Sequence, residues 1–327
     1  MTTAASEKID LLIYGPTKPV VDNGFSERFE RHKCETLEDV NRLSPAVVER
    51  IRGIAETALR PAGEAVLSRF PKLEIVSSFG VGYDHVDSAY AREHGIIVTN
   101  TPDVLTEEVA DTAVGLLIAT LREFIKADRY IRSGLWTTQD YPLTVGSLRD
   151  RKVGMVGMGR IGQAIARRLD AAKVPVVYHS RNPAAGVSHQ HYPNLLEMAK
   201  AVDTLIVITP GGAATANMIN AEVMKTLGPR GVIINLARGS VIDELALIAA
   251  LKSGTILAAG LDVFAKEPNV PDELKALQNV VLLPHIGSAS LVTRNAMDQL
   301  VVDNLKAWFS GKPPLTPVAE TPYPPKR

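Results

Sequence analysis

The stretch VGMVGMGRIGQAIARRL, residues 153–169, limits what this chain can fold into more than any other. An apolar run that reads as a strand leads into Gly157, Gly159 and Gly162, spaced Gly-x-Gly-x-x-Gly, and an apolar-periodic helix follows. The glycine spacing alone is weak. Between a strand and a helix it means either a bare tight turn or a dinucleotide site, and the context favours the second. Gly157 would permit the turn, Gly159 would let backbone approach a pyrophosphate, and Gly162 would let helix pack on strand. The amides opening the helix, at Arg160 and Ile161, would then face the phosphates.

The next strand should end in an acid if the ligand is NAD, because a carboxylate holds the ribose hydroxyls. Here VVYHSRN, residues 176–182, runs out into His179, Ser180 and Arg181. A guanidinium and a hydroxyl suit a 2′-phosphate through charge-assisted hydrogen bonds, which an acid would repel. The stretch therefore points to NADP rather than NAD. The plainer reading leaves Arg181 as a solvated loop residue.

Around this unit the chain alternates strand-like and helix-like runs. IDLLIYG, VVERIRGIA, LEIVSSF and GIIVTN precede it, with a weaker strand near Cys34–Leu37. KVGMVG, VPVVYHS, DTLIVIT, GVIINLA, ILAAGLDV and NVVLLPH make six strands from Lys152 onward. Such alternation predicts βαβ units and doubly wound parallel sheets. One long helix is predicted from Thr106 to Ser133, with Thr106 as cap, Val109, Ala113, Leu117, Leu121 and Phe124 on its apolar stripe, and Gly134 as stop. A last helix is predicted over residues 291–309 with Ala296, Leu300, Leu305 and Trp308 on one stripe. The Pro-rich tail after it reads as a packed or frayed terminus.

The 327 residues suggest about two domains. Thirty-six basic and 36 acidic side chains give zero formal charge, which offers no attraction to nucleic acid and no barrier to self-association. The single cysteine, Cys34, cannot form an intrachain disulfide and reads as a small, partly buried residue in a reducing compartment. No basic segment followed by an apolar one opens the chain, and no apolar run reaches the roughly 20 residues of a membrane span. A cytoplasmic protein without membrane or nucleic-acid partner is expected, and no metal ligands are assigned.

Three later segments, NLARGSVIDE, GLDVFAKEP and LLPHIGSAS, each follow a predicted strand end. In a doubly wound sheet those ends border one crevice, which would receive Arg238, Glu267 and His285. Arginine can grip a carboxylate and polarise a carbonyl, histidine can move a proton near neutrality, and a glutamate on the second imidazole nitrogen can fix its tautomer. Taken singly, each also reads as an ordinary loop residue.

These segments, with GMGRIG, resemble the D-isomer-specific 2-hydroxyacid dehydrogenase family. SSFGVGYDHVD (77–87) and TNTPDVLTEEVAD (99–111) are similar to its glyoxylate/hydroxypyruvate reductases, a group that includes hydroxyphenylpyruvate reductases. The resemblance spans almost the whole chain. It implies a flavodoxin-like substrate-binding domain, residues 1–101 and 290–327, and a Rossmann dinucleotide-binding domain, residues 102–289, with a cleft between them. It implies that His285 protonates the carbonyl oxygen as hydride arrives, that Glu267 supports His285, and that Arg238 holds the 2-oxo acid. Phe79, Gly80, Val81 and Gly82 would grip the substrate carboxylate through backbone amides. Asp262 would meet the nicotinamide carboxamide, while Thr106, Thr209, Pro210, Ala237 and Gly287 would line the cofactor. A homodimer is implied, with Trp136 in the region that meets the partner. The expected activity is NADPH-dependent reduction of glyoxylate and hydroxypyruvate. Larger 2-oxo acids, such as hydroxyphenylpyruvate or 2-ketogluconate, remain an alternative, as does a nucleotide-sensing regulator on the same fold.

Overall fold

In the computed structural model, residues 8–324 are described except 59 and 145. The first seven residues of the N-terminal reading and the last three of the Pro-rich tail lie outside the described residues. Contacts divide the chain into two units. One runs up to Leu105 and resumes at Ser290; the other is Thr106–Ala289.

The first unit holds five parallel strands: β1 (Ile9–Tyr14), β2 (Phe29–Cys34), β3 (Ile51–Glu56), β4 (Ile75–Ser77) and β5 (Ile97–Thr99). Their order is β2-β1-β3-β4-β5, so the sheet winds outward in both directions from β1 and β3. β1 and β4 are buried along their whole length, as strands covered on both faces must be. The strand expected from residue 47 starts only at Ile51, because Pro45 opens a helical turn, Pro45–Val48. The described part of the tail is packed rather than frayed. It runs along β5, with Val318 N donating to Val98 O at 2.9 Å and Val98 N donating to Thr321 Oγ1 at 2.9 Å.

The second unit holds seven parallel strands: β6 (Val153–Val156), β7 (Val176–His179), β8 (Gln190–Tyr192), β9 (Thr204–Val207), β10 (Val232–Asn235), β11 (Ala258–Leu261) and β12 (Val280–Leu282). The order is β12-β11-β10-β9-β6-β7-β8, a doubly wound arrangement whose direction reverses between β6 and β9. Six strands were expected. The seventh, QHY, is a short polar edge strand with no apolar alternation to reveal it.

The long helix predicted from Thr106 is two helices, Thr106–Leu121 and Phe124–Arg132. Glu123 interrupts them in the left-handed region, at φ +51°, and its carboxylate accepts a hydrogen bond from Tyr141 Oη at 3.2 Å. Thr106 is the first helical residue rather than the cap. Phe124, placed on the apolar stripe by its spacing, is exposed beyond the break, whereas Val109, Ala113, Leu117 and Leu121 are buried. The last helix, Leu291–Phe309, buries Met297, Val301, Leu305 and Phe309, so Leu305 is the one residue of the expected stripe on the buried face.

Candidate active site

The turn after β6 shows why three glycines stand there. Gly157 has φ +106°, and a Cβ on it would lie 2.9 Å from Ile208 O. Gly162, one turn into the helix Arg160–Ala171, would bring a Cβ to 2.5 Å from Gly157 O. Gly159 faces open space, with nothing within 4 Å of a Cβ. Backbone is thus drawn tight on one side and left bare on the other, at the start of a helix beside the sheet's switch point. That is the cradle a dinucleotide pyrophosphate needs. The helix is tied to Thr106–Leu121 by Arg168 on Asp111 (2.7 Å) and Glu107 (2.8 Å), and by Arg167 on Glu107 (2.7 Å). The acids at the head of that helix therefore do more than meet its dipole.

Ser180 and Arg181 follow β7. Ser180 Oγ donates to Asn182 O at 2.6 Å, and Ser180 O accepts from His191 Nε2 at 2.9 Å, which fixes the turn. Arg181 is exposed and holds no carboxylate among the described residues. An uncommitted guanidinium beside the glycine turn fits the extra phosphate of NADP. Thr209 and Pro210 follow β9, and Pro210 O accepts from Thr215 Oγ1 at 2.8 Å.

Arg238, Glu267 and His285 sit just beyond the carboxyl ends of β10, β11 and β12. Asn235 steers the first of these turns: its Nδ2 donates to Arg238 O at 3.1 Å and its Oδ1 accepts from Ala237 N at 3.0 Å. Gly239 lies so close to the Phe264 carbonyl that no side chain fits, which brings the Arg238 turn against the chain leading to Glu267. Neither Asn235 nor Gly239 was singled out from the sequence, although both stand in NLARGS.

Glu267 Oε1 accepts the Phe264 amide at 3.0 Å, and its Oε2 lies 2.7 Å from His285 Nδ1. Burial acts to raise the Glu267 carboxyl. Hydrogen bonds from His285 and Phe264, with the charges of His285 and Arg238, outweigh it and hold the group below the usual carboxylate range. Nδ1 of His285 is thereby occupied, and Nε2 bonds to no described residue. His285 adopts φ +55°, a left-handed conformation that a side-chain-bearing residue reaches only when its surroundings fix it. Asp262 does so. Its carbonyl accepts the His285 amide at 2.9 Å, and its two carboxylate oxygens take the amides of Ile286 and Gly287, each at 2.7 Å. Burial pushes the Asp262 carboxyl above its usual range against the pull of those amides. Beside the cofactor contact expected of it, Asp262 thus caps this turn.

In the other unit, Phe79–Gly82 follows β4. Phe79 is buried, with the cations of Lys18 and Arg294 4.7 and 5.1 Å from its ring centre. Gly80 turns the chain at φ +125°. The amides of Val81 and Gly82 donate to no described residue. Cys34 ends β2 in the core. Burial, with the charge of Asp39, pushes its thiol up to about 11, so it is protonated at neutral pH and no nucleophile.

The family model for the NAD-binding domain of D-isomer specific 2-hydroxyacid dehydrogenases matches residues 114–287. A glyoxylate/hydroxypyruvate reductase of Arabidopsis thaliana is 45% identical over 95% of this chain and 99% of its own. A hydroxyphenylpyruvate reductase of Plectranthus scutellarioides is 43% identical over 95% and 99%. An NADPH-dependent glyoxylate/hydroxypyruvate reductase from Sinorhizobium meliloti, solved with NADP and malonate, superposes with a TM-score of 0.93. It is 52% identical, over 98% of this chain and 99% of that one.

Proposed function

The chain belongs to the D-isomer specific 2-hydroxyacid dehydrogenase family, and from that premise we propose that it reduces glyoxylate and hydroxypyruvate with NADPH. The observation that carries the reading is His285, tied through Nδ1 to Glu267 at 2.7 Å with Nε2 left open. NADPH, when bound, supplies the hydride to the carbonyl carbon. The chain supplies the proton: His285 Nε2 gives it to the carbonyl oxygen, and a 2-hydroxy acid results. Glu267, held ionised, fixes the tautomer and stabilises the imidazolium that precedes transfer. Arg238 holds the 2-oxo acid, and the amides of Val81 and Gly82, in the loop Phe79–Gly82, receive its carboxylate. Gly157, Gly159, Arg160, Ile161 and Gly162 hold the pyrophosphate and Ser180 and Arg181 the 2′-phosphate. Thr106, Thr209, Pro210, Ala237, Asp262 and Gly287 line the remainder.

We also propose a homodimer. Phe124, Ile125, Ile131, Leu135, Trp136 (62% exposed) and Leu143 (96% exposed) present apolar side chains along residues 124–143, a concentration that suits a face covered by a second copy. Among the described residues no helix is long and apolar enough to cross a membrane. The lone buried Cys34 fits a cytoplasmic setting.

Steady-state oxidation of NADPH and NADH, each with glyoxylate, hydroxypyruvate, hydroxyphenylpyruvate and 2-ketogluconate, tests the reading. NADPH preference with the two small acids is expected. Arg181→Ala should raise the KM for NADPH by about tenfold, the order of one charge-assisted hydrogen bond, and leave that for NADH unchanged. Faster turnover of the larger acids would move the assignment to them. No turnover with any pair would favour a nucleotide-sensing regulator.

A further inference from the structure

A fully buried carboxylate lies under the loop that follows β4. Glu56 ends β3, and its side chain is 0% exposed. Its Oε1 accepts the amides of Ala58 at 2.7 Å and Arg60 at 2.8 Å. Its Oε2 accepts the Ser78 hydroxyl at 3.1 Å and the Phe79 amide at 3.2 Å, and lies 3.0 Å from His85 Nε2. Four donors and a histidine nitrogen, from three segments, thus converge on one acid. A carboxylate so buried is tolerable only when its hydrogen bonds are made, and these are.

Serine, histidine and acid together suggest a hydrolytic relay, but the geometry forbids one. A relay needs the acid on one imidazole nitrogen and the serine on the other. Here Ser78 Oγ lies 3.0 Å from the same Nε2 that meets Glu56, and Ser78 is buried. The cluster can fix a loop; it cannot attack a substrate.

The loop it fixes engages its first three amides and leaves the next ones open. Ser78 N donates to Thr99 O at 2.8 Å, Phe79 N to Glu56, and Gly80 N to Thr101 Oγ1 at 2.9 Å. Gly80 O accepts from Thr101 N at 2.8 Å, and Val81 O from Asn100 Nδ2 at 2.8 Å. The Val81 and Gly82 amides follow directly, with no described acceptor.

We propose that Glu56 is a positioning residue for substrate binding: with Ser78 and His85 it holds the loop so that the Val81 and Gly82 amides meet the carboxylate of a 2-oxo acid. The inference rests on the reductase reading above. It makes Glu56 matter to substrate affinity, not to proton or hydride transfer.

Glu56→Gln keeps the volume but leaves one acceptor oxygen and turns an NH2 group toward donors. With the protein folded, as its melting curve reports, the KM for glyoxylate and the Ki for oxalate should each rise about tenfold or more, as expected for lost bonds to a charged group. kcat and the Kd for NADPH should stay within about twofold, since the glycine turn and Arg181 lie in the other unit. His85→Asn and Ser78→Ala, which each remove one group around the acid, should raise Ki by about two- to fivefold. Unchanged KM and Ki in folded Glu56→Gln overturn the inference. So does a parallel fall in kcat, substrate affinity and NADPH affinity, which marks a general structural role. If Glu56→Gln does not fold, unchanged Ki in both milder variants overturns it. Failure of the wild type to turn over any 2-oxo acid would instead sink the reductase reading. Oxalate binding by calorimetry would then test the loop directly, equal affinity in wild type and variant counting against Glu56.

Discussion

Glu56, at the end of β3, takes the amide of Phe79 from the loop leaving the neighbouring strand β4. Asp262, just beyond β11, takes the amides of Ile286 and Gly287 from the loop leaving the neighbouring strand β12. Both units thus tether a loop at the carboxyl end of a parallel sheet with a buried acid one strand away. Each tethered loop also carries a histidine, and there they part. His85 points its Nε2 at the acid and the serine. His285 gives Nδ1 to a different acid, Glu267, and keeps Nε2 clear. A histidine beside a carboxylate is therefore not a sign of catalysis in itself. What separates the two is access: the His285 side chain is 33% exposed and that of His85 11%. In the proposed reaction one loop offers backbone amides to an anion, the other a side chain to a carbonyl.

The largest test of this contrast exchanges each histidine for alanine. His285→Ala should lower kcat by about 10²–10⁴, the usual worth of a positioned general acid, with NADPH binding retained. His85→Ala should leave kcat nearly intact and act on KM. Comparable kcat losses in the two variants would erase the distinction.

A middle-sized effect is expected at the second tether. Asp262→Asn leaves one acceptor oxygen for two amides and should cost about 1–3 kcal/mol of stability in urea unfolding, through one unsatisfied buried donor. It should also relax the left-handed backbone of His285, so kcat should fall as well. A variant of normal stability and turnover would show that the tether is dispensable.

The smallest effect is a pH dependence. The Glu267 carboxyl is held below its ordinary value on folding. Such a group stabilises the native state fully above its unfolded pKa, about 4.3, and loses that contribution as pH falls through the folded value. The stability gap between wild type and Glu267→Gln should therefore be constant near neutrality and narrow on acidification below about pH 4. A gap that widens in acid would reverse the assigned sign.

Much of this site can be read from the chain because its signals are local. Gly157, Gly159 and Gly162 act within one strand–turn–helix, and Arg238, Glu267 and His285 each lie a few residues past an apolar run. Glu56 gave no such signal. It stands in IRGIAETA as one acid after a strand, and its partners lie up to 29 residues away, at His85. The break at Glu123 was hidden as well, because the helical period continues through it, and the partner of its carboxylate, Tyr141, lies 18 residues on.

The sequence by itself determined two parallel α/β sheets, the glycine turn with a cation where an acid would mark NAD, and the residue types of the proton-transfer set. Period and composition are properties of neighbouring residues, and they specify strands, helices and turns directly. Only the tertiary structure decided which nitrogen each histidine turns to an acid and which acids become tethers. Those choices depend on which strand ends lie side by side, and hydrogen bonding between residues far apart in the chain exists only once the sheets have formed.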